Sequence, residues 1–122
     1  MRKVLIFAFV VLTFALTGAA QEKKIQVAER NFHVEPVTIK QTTALRGRFQ
    51  ASAVNSENAV ELYLMSAGNL EKWRKDKPAS FYYQSARGTS GDFFIRLRPG
   101  TYFLVVNNRF SLMDKTVTLT IH

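Results

Sequence analysis

The sequence has no cysteine, only two histidines (His33 and His122), three prolines and nine scattered acidic residues. Each shortage excludes something. Without cysteine there is no Cys-ligated zinc, no iron–sulfur cluster, no thiol nucleophile and no disulfide. The histidines do not form an i,i+2 or i,i+4 ligand pair with one another. His33 and Glu35 could share a strand face, but two ligands make a weak metal site. The acids show no pairing suited to glycoside hydrolysis. No Gly-x-Ser-x-Gly elbow occurs, and no glycine-rich loop is built to cradle phosphate. Internal repeats, low-complexity tracts and linker-like Pro/Gly/Ser segments are also missing. The expectation is one non-catalytic domain with no metal and no cofactor.

Long apolar runs are absent too, except at the start. Val4 to Leu16 is apolar apart from Thr13, follows Arg2 and Lys3, and leads to Gly18-Ala19-Ala20. This is the order of a secretory signal peptide, so residues 1–20 are expected to be removed near Ala20, leaving Gln21 first. The run falls short of the ~20 residues a membrane-spanning helix needs. No cysteine follows the cut to accept a lipid anchor. An exported protein is expected, periplasmic or secreted, with residues 21–122 folded as one domain around one core. Small exported domains often rely on disulfides; this one must rely on apolar burial and sheet hydrogen bonds.

What is plentiful is positive charge, a formal +8 over the chain. Without Arg2 and Lys3, 15 of the 17 basic residues remain against nine acidic ones, a formal +6. That sign favours anionic partners such as phospholipid headgroups at a membrane surface or an acidic polysaccharide, and otherwise serves solubility. Nucleic acid is set aside because an exported protein rarely meets it.

The mature chain alternates. Leu45, Gly47, Phe49 and Ala51 oppose Arg46, Arg48 and Gln50; Val117, Leu119 and Ile121 oppose Thr116, Thr118 and Thr120. A period of two places successive side chains on opposite faces of a strand. Ile25 and Val27 predict an edge strand over Lys24 to Glu29. Phe32 to Val34 continues extended, and Pro36, which cannot donate to a ladder, suits an edge position or a strand junction. Ala59 to Met65 predicts a strand with Val60, Leu62 and Leu64 inward and Glu61 and Tyr63 outward. Asn55-Ser56-Glu57-Asn58 reads as a polar turn. One short helix is predicted, capped by Ser66 or Asn69, with Leu70 and Trp73 on its buried face and Glu71–Lys75 outside. Asp76-Lys77-Pro78 ends it. Phe81-Tyr82-Tyr83 is a short strand or extended cover. Phe93 to Arg98 alternates again and passes through Pro99-Gly100, a type II turn, into Tyr102 to Val106, apolar on both faces as in a central strand. The fold class expected is all-β, an antiparallel sandwich of seven or eight strands with one short helix.

From about Ala44 onward the order of features resembles a bacterial family of exported GOLD-like (Golgi-dynamics-type) domains. The pieces are Gly47-Arg48-Phe49-Gln50-Ala51-Ser52, Val60-Glu61-Leu62-Tyr63-Leu64-Met65, Leu70-Glu71-Lys72-Trp73, Tyr83-Gln84-Ser85, Leu97-Arg98-Pro99-Gly100-Thr101-Tyr102-Phe103-Leu104, Asn107-Asn108-Arg109-Phe110-Ser111 and Lys115-Thr116-Val117. The resemblance implies a compact sandwich used for protein or carbohydrate contact, without catalysis.

Two groups are the candidate binding residues. If the strands of Arg46/Arg48 and Arg96/Arg98 are neighbours, four guanidiniums share one face. Arginine's planar fork suits carboxylate, sulfate or phosphate, unless Glu57, Glu61 or Asp92 neutralises the cluster. Asn108 and Arg109 stand in a turn where asparagine tolerates left-handed backbone and caps the chain. The function expected is a binding module that contacts another protein or a glycan through a sheet face or loop end. The alternative is a polyanion or headgroup binder working through the arginine face. The basic run Lys72, Arg74, Lys75 and Lys77 beside Trp73 reads as the solvated side of the helix.

Overall fold

A computed structural model describes residues 21–52 and 59–122; the predicted leader and the turn at 55–58 lie outside them. The described chain forms β1 (Gln21–Val27), β2 (Phe32–Ile39), β3 (Thr43–Ser52), β4 (Glu61–Met65), α1 (Ala67–Arg74), β5 (Tyr83–Gln84), β6 (Ser90–Leu97), β7 (Gly100–Asn107) and β8 (Lys115–Ile121). They make two four-stranded antiparallel sheets, in the orders β1-β8-β3-β6 and β2-β7-β4-β5. The protein is an antiparallel β-sandwich with one short helix.

Alternation decides what lies between the sheets. Leu45, Phe49 and Ala51 of β3 and Val117, Leu119 and Ile121 of β8 meet Val37, Ile39, Leu62, Leu64, Leu104 and Val106 of the other sheet in one buried cluster. Fully burying a side chain of this kind contributes about 1.5–3 kcal/mol, and this packing stands in for disulfides. Pro36 lies on β2, an edge strand, where its missing N–H costs no ladder bond.

Two expectations change here. Pro99-Gly100 does not close a type II turn. It carries the chain from β6 in one sheet to β7 in the other, and Gly100 takes φ 154°, well past the roughly +80° of a type II turn. Tyr63 does point away from the sandwich interior, but it is buried. With Met65, Val105 and Trp73 it forms a second small core on the outer face of β2-β7-β4-β5, to which Phe32, Val34, Leu70, Ala79 and Phe81 add. Trp73 meets Phe32 edge-on at 5.0 Å between centroids, and Tyr63 packs on Phe81 at 4.7 Å. The eight-residue helix is too short to persist alone; Trp73 fastens it to the sheet. Ser66 Oγ caps it by accepting from the Asn69 amide, while Asn69 Oδ1 accepts from the Ser80 amide and draws the returning chain back.

A polar clasp closes the open side between the edge strands β1 and β2. Lys23 Nζ donates to Glu35 Oε2 at 2.9 Å, and His33 Nε2 lies 2.8 Å from Glu35 Oε1. Burial raises the Glu35 pKa, and the bonds from His33 and Lys23 outweigh it, so the carboxyl titrates below its ordinary 4.5. A group whose folded pKa is depressed contributes stability above its unfolded value and loses it as pH falls through the folded one. Glu35→Gln should therefore lower the urea midpoint at pH 7, and the gap to the parent should narrow below pH 4. A gap that is the same at both ends of that range would show the charge to be irrelevant.

Candidate functional site

The two outer faces differ. That of β2-β7-β4-β5 is covered by α1 and its aromatic core, whereas none of the described elements packs on that of β1-β8-β3-β6. Strand register turns the bare face into a grid. Lys24, Thr118, Gln50 and Ser90 stand in one row, and Glu22, Thr120, Arg48 and Asp92 in the next. Then come Arg46 opposite Phe94, and Ala44 opposite Arg96. Between β3 and β6 a shallow depression of about 320 Å³ is lined by Arg48, Gln50, Ser90 and Asp92.

Strands β3 and β6 are neighbours, so Arg46, Arg48 and Arg96 share this face. Arg98 lies one residue past the end of β6, exposed at the corner where the chain changes sheets. No arginine stands directly opposite another. Arg46 and Arg96 are diagonal neighbours, roughly 7–8 Å apart at the backbone, which relieves like-charge repulsion without dispersing the charge. The Arg46 guanidinium sits 4.8 Å from the Phe94 ring centroid. Arg48 approaches Asp92 at 3.9 Å, with both side chains largely exposed (69% and 86%); such a pair contributes about 0–1 kcal/mol. Of the three acids weighed as neutralisers, Asp92 alone is on this face among the described residues. Glu57 lies outside them, and Glu61 is turned to the opposite sheet. Arg46, Arg96 and Arg98 have no ion-pair partner among the described residues.

Phe94 is 61% exposed in the middle of this charge. It was missed as a site residue although a signal existed: adjacent Phe93 and Phe94 on a strand must face opposite ways. Phe93 takes the core.

Asn108 and Arg109 both make contacts within the fold. Asn108 is fully buried. Its Nδ2 donates to the carbonyls of Met113 (2.8 Å), Ala28 (3.1 Å) and Val27 (3.4 Å), and its Oδ1 accepts from Lys115 Nζ at 2.6 Å. It holds the β7–β8 loop to the end of β1 and presents nothing to a partner. Arg109 lies 3.8 Å over Trp73, donates to the Trp73 carbonyl and reaches Asp76 at 3.5 Å. It clamps the helix to the sheet.

Glu61 accepts from Tyr63 Oη (2.9 Å), Asn107 Nδ2 (2.9 Å) and Arg87 Nε (3.1 Å), and Arg87 stacks 3.7 Å from the Phe110 centroid. Burial pushes the Glu61 pKa up, but these donors hold it below its ordinary value; burial and the Glu61 carboxylate push Tyr63 up to about 12. A carboxylate kept charged and a phenol kept protonated have no proton to exchange near neutrality, so this group ties strands together. His33 and Glu35 are likewise spent on the Lys23 clasp. Among the described residues no three His, Cys, Asp or Glu side chains gather as a metal would require.

No protein-family model matches the chain, and no curated protein matches it. Solved structures share its fold. The pre-peptidase C-terminal domain of a collagenase from Bacillus anthracis aligns over 84% of this chain and 88% of its own, at 12% identity and TM-score 0.61. A periplasmic inhibitor of g-type lysozyme from Aeromonas hydrophila aligns over 90% and 94%, at 11% identity and TM-score 0.54. The Yersinia pseudotuberculosis-derived mitogen aligns over 84% of each chain, at 9% identity and TM-score 0.52. Identities this low establish a common sandwich architecture.

Proposed function

We propose that this protein is an exported, non-catalytic binding module that holds another macromolecule, a protein or a glycan, against the bare outer face of β1-β8-β3-β6. One observation carries the reading. A helix and an aromatic core cover one sheet, while the described residues leave the other open, with arginines around a solvent-exposed phenylalanine. Large aromatics and arginine are enriched where proteins make contacts. Two further points support a contact role. One structural neighbour is by name an inhibitor of an enzyme, so a sandwich of this shape can act by binding alone. The GOLD-like order of features also points to a contact domain, which we propose as its kinship. Among the described residues no helix is long and apolar enough to cross a membrane.

Photo-crosslinking tests the reading without a known partner. A benzophenone side chain is placed at Gln50 on the bare face, or at Lys72 on the helix side, of the full chain expressed in its native cells. Crosslinked adducts should form from Gln50 and not from Lys72. Adducts from Lys72 alone would assign contact to the other side and overturn the proposal.

A further inference from the structure

Resting on that reading, we infer that the occupant of the bare face is an acidic polysaccharide strand, its carboxylate or sulfate groups on the diagonal Arg48–Arg46–Arg96–Arg98 and a sugar ring against Phe94.

The diagonal follows from register. Arg46 faces Phe94 and Ala44 faces Arg96, so Arg46 and Arg96 are diagonal neighbours about 7–8 Å apart. Arg48 lies two residues from Arg46 on β3, a step of about 7 Å along the strand, and Arg98 follows Arg96 just past the end of β6. Arg48, Arg46 and Arg96 make an oblique line of cations across two strands, and Arg98 extends it at the corner. A single phosphate or sulfate would want its donors converging on one point. A line of guanidiniums, each able to grip an oxyanion with two parallel N–H groups, fits a polymer that repeats its charge.

The rest of the face decides which polymer. Thr118, Thr120, Gln50 and Ser90 flank the line with hydroxyls and amides at known register, and these can exchange hydrogen bonds with sugar hydroxyls. Among the described residues Phe94 is the one large apolar side chain exposed on this face; Tyr82 and Leu112, the other exposed ones, lie outside its four strands. One ring can stack on a sugar. A lipid-inserting surface would bury more apolar area, and a single-stranded nucleic acid would call for several aromatics in succession. Asp92 opposes the ligand at one end of the line, and holds Arg48 only loosely, at 3.9 Å.

Titration calorimetry of the full chain with heparin (sulfated), polygalacturonate (carboxylated) and neutral dextran supplies the test, at low and at physiological salt. Binding to at least one acidic polymer and not to dextran is expected, weakening as salt screens the charges. Replacing Arg46→Gln and Arg96→Gln together should weaken it about tenfold. Phe94→Ser should weaken it several-fold, and Asp92→Asn should tighten it. Lys72→Gln with Lys77→Gln, on the helix side, should change little. All of these positions are exposed, and unchanged circular dichroism excludes misfolding. Whichever polymer binds tighter identifies the acid group.

Four results would overturn the inference. The first is no binding to either acidic polymer. The second is equal weakening by the helix-side pair, which would mean attraction to net charge only. The third is indifference to Phe94→Ser. The fourth is tighter binding to phosphatidylserine–phosphatidylcholine vesicles or to oligo-dT than to either polysaccharide. If any of these occurs while Gln50 still crosslinks to a protein, the polysaccharide assignment falls and the contact face stands.

Discussion

Asn108→Ala should destabilise the protein by about 3–5 kcal/mol, lowering the urea midpoint with little change in slope. Its amide is the point where three backbone carbonyls and one cation meet. Nδ2 serves the carbonyls of Val27, Ala28 and Met113, and Oδ1 receives Lys115 Nζ at 2.6 Å. Lys115 is itself 1% exposed, and its ammonium also donates to the Ala59 carbonyl at 2.8 Å. A hydrogen bond to a charged group is worth about 1.5–3 kcal/mol, and each carbonyl left dry adds a desolvation cost of about 1–3 kcal/mol. Water entering the cavity would recover part of that, which keeps the total below the sum. A domain of this size is stable by only about 5–15 kcal/mol, so the variant should be half unfolded at modest denaturant. Asn108→Asp separates the two halves of the amide. It keeps an acceptor for Lys115 and loses all three donations, so it should also be destabilised, though less than alanine. A midpoint within experimental error of the parent for Asn108→Ala would remove the hub from the account of this fold.

The hub reaches along the β7–β8 loop. Asn108, Ser111 and Lys115 all belong to the pieces resembling GOLD-like domains, and all three are buried. Ser111 Oγ accepts from the Met113 amide, and the Ser111 carbonyl accepts from the Arg30 amide. Their role is mechanical: they fasten the last loop. Buried, they cannot at the same time be the surface that meets a partner, and the contact proposed above lies on the arginine face instead.

The inner faces of β3 and β8 could be read directly, because alternation with period two is a local property and the chain has one core to satisfy. The helix cap was legible for the same reason, since Ser66 and Asn69 act within one turn. What could not be read depends on elements distant in sequence. Tyr63 looks like an outward residue until α1 covers it. Glu35 looks like a surface acid until Lys23 and His33 meet it at the edge between the sheets. Nothing local at Pro99-Gly100 says whether the next strand stays in the sheet or leaves it. The arginines illustrate both cases. Their outward direction was visible, but their gathering into one line required the pairing of β3 with β6, and the exposure of Phe94 among them required that pairing and an uncovered sheet.

The same pairing makes Gly47→Ala the other severe substitution. Between β3 and β6 a phenylalanine sits across from a glycine twice, in opposite senses: Gly47 faces Phe93, and Phe49 faces Gly91. Each ring lies over the glycine opposite and fills the space its side chain would take. A Cβ on Gly47 would come within 2.4 Å of Phe93 Cζ and 2.5 Å of the Thr120 carbonyl oxygen. The second contact is the graver, because that oxygen belongs to β8 in the middle of the sheet and can retreat only by spreading the β3–β8 ladder. At Gly91 the overlap is with Phe49 alone, at 2.8 Å, and a ring can tilt. Overpacking of this kind costs about 1–3 kcal/mol, and more where backbone must move, so Gly47→Ala should lie at or above the top of that range and Gly91→Ala within it. A double-mutant cycle resolves the two contacts. Phe93→Leu removes the ring from above Gly47, so Gly47→Ala in that background should be partly relieved, and the residual loss measures the strain against Thr120. If Phe93→Leu restored the midpoint to that of Phe93→Leu alone, the backbone clash would count for nothing. If it gave no relief, the ring would be irrelevant and the whole penalty would sit in the ladder.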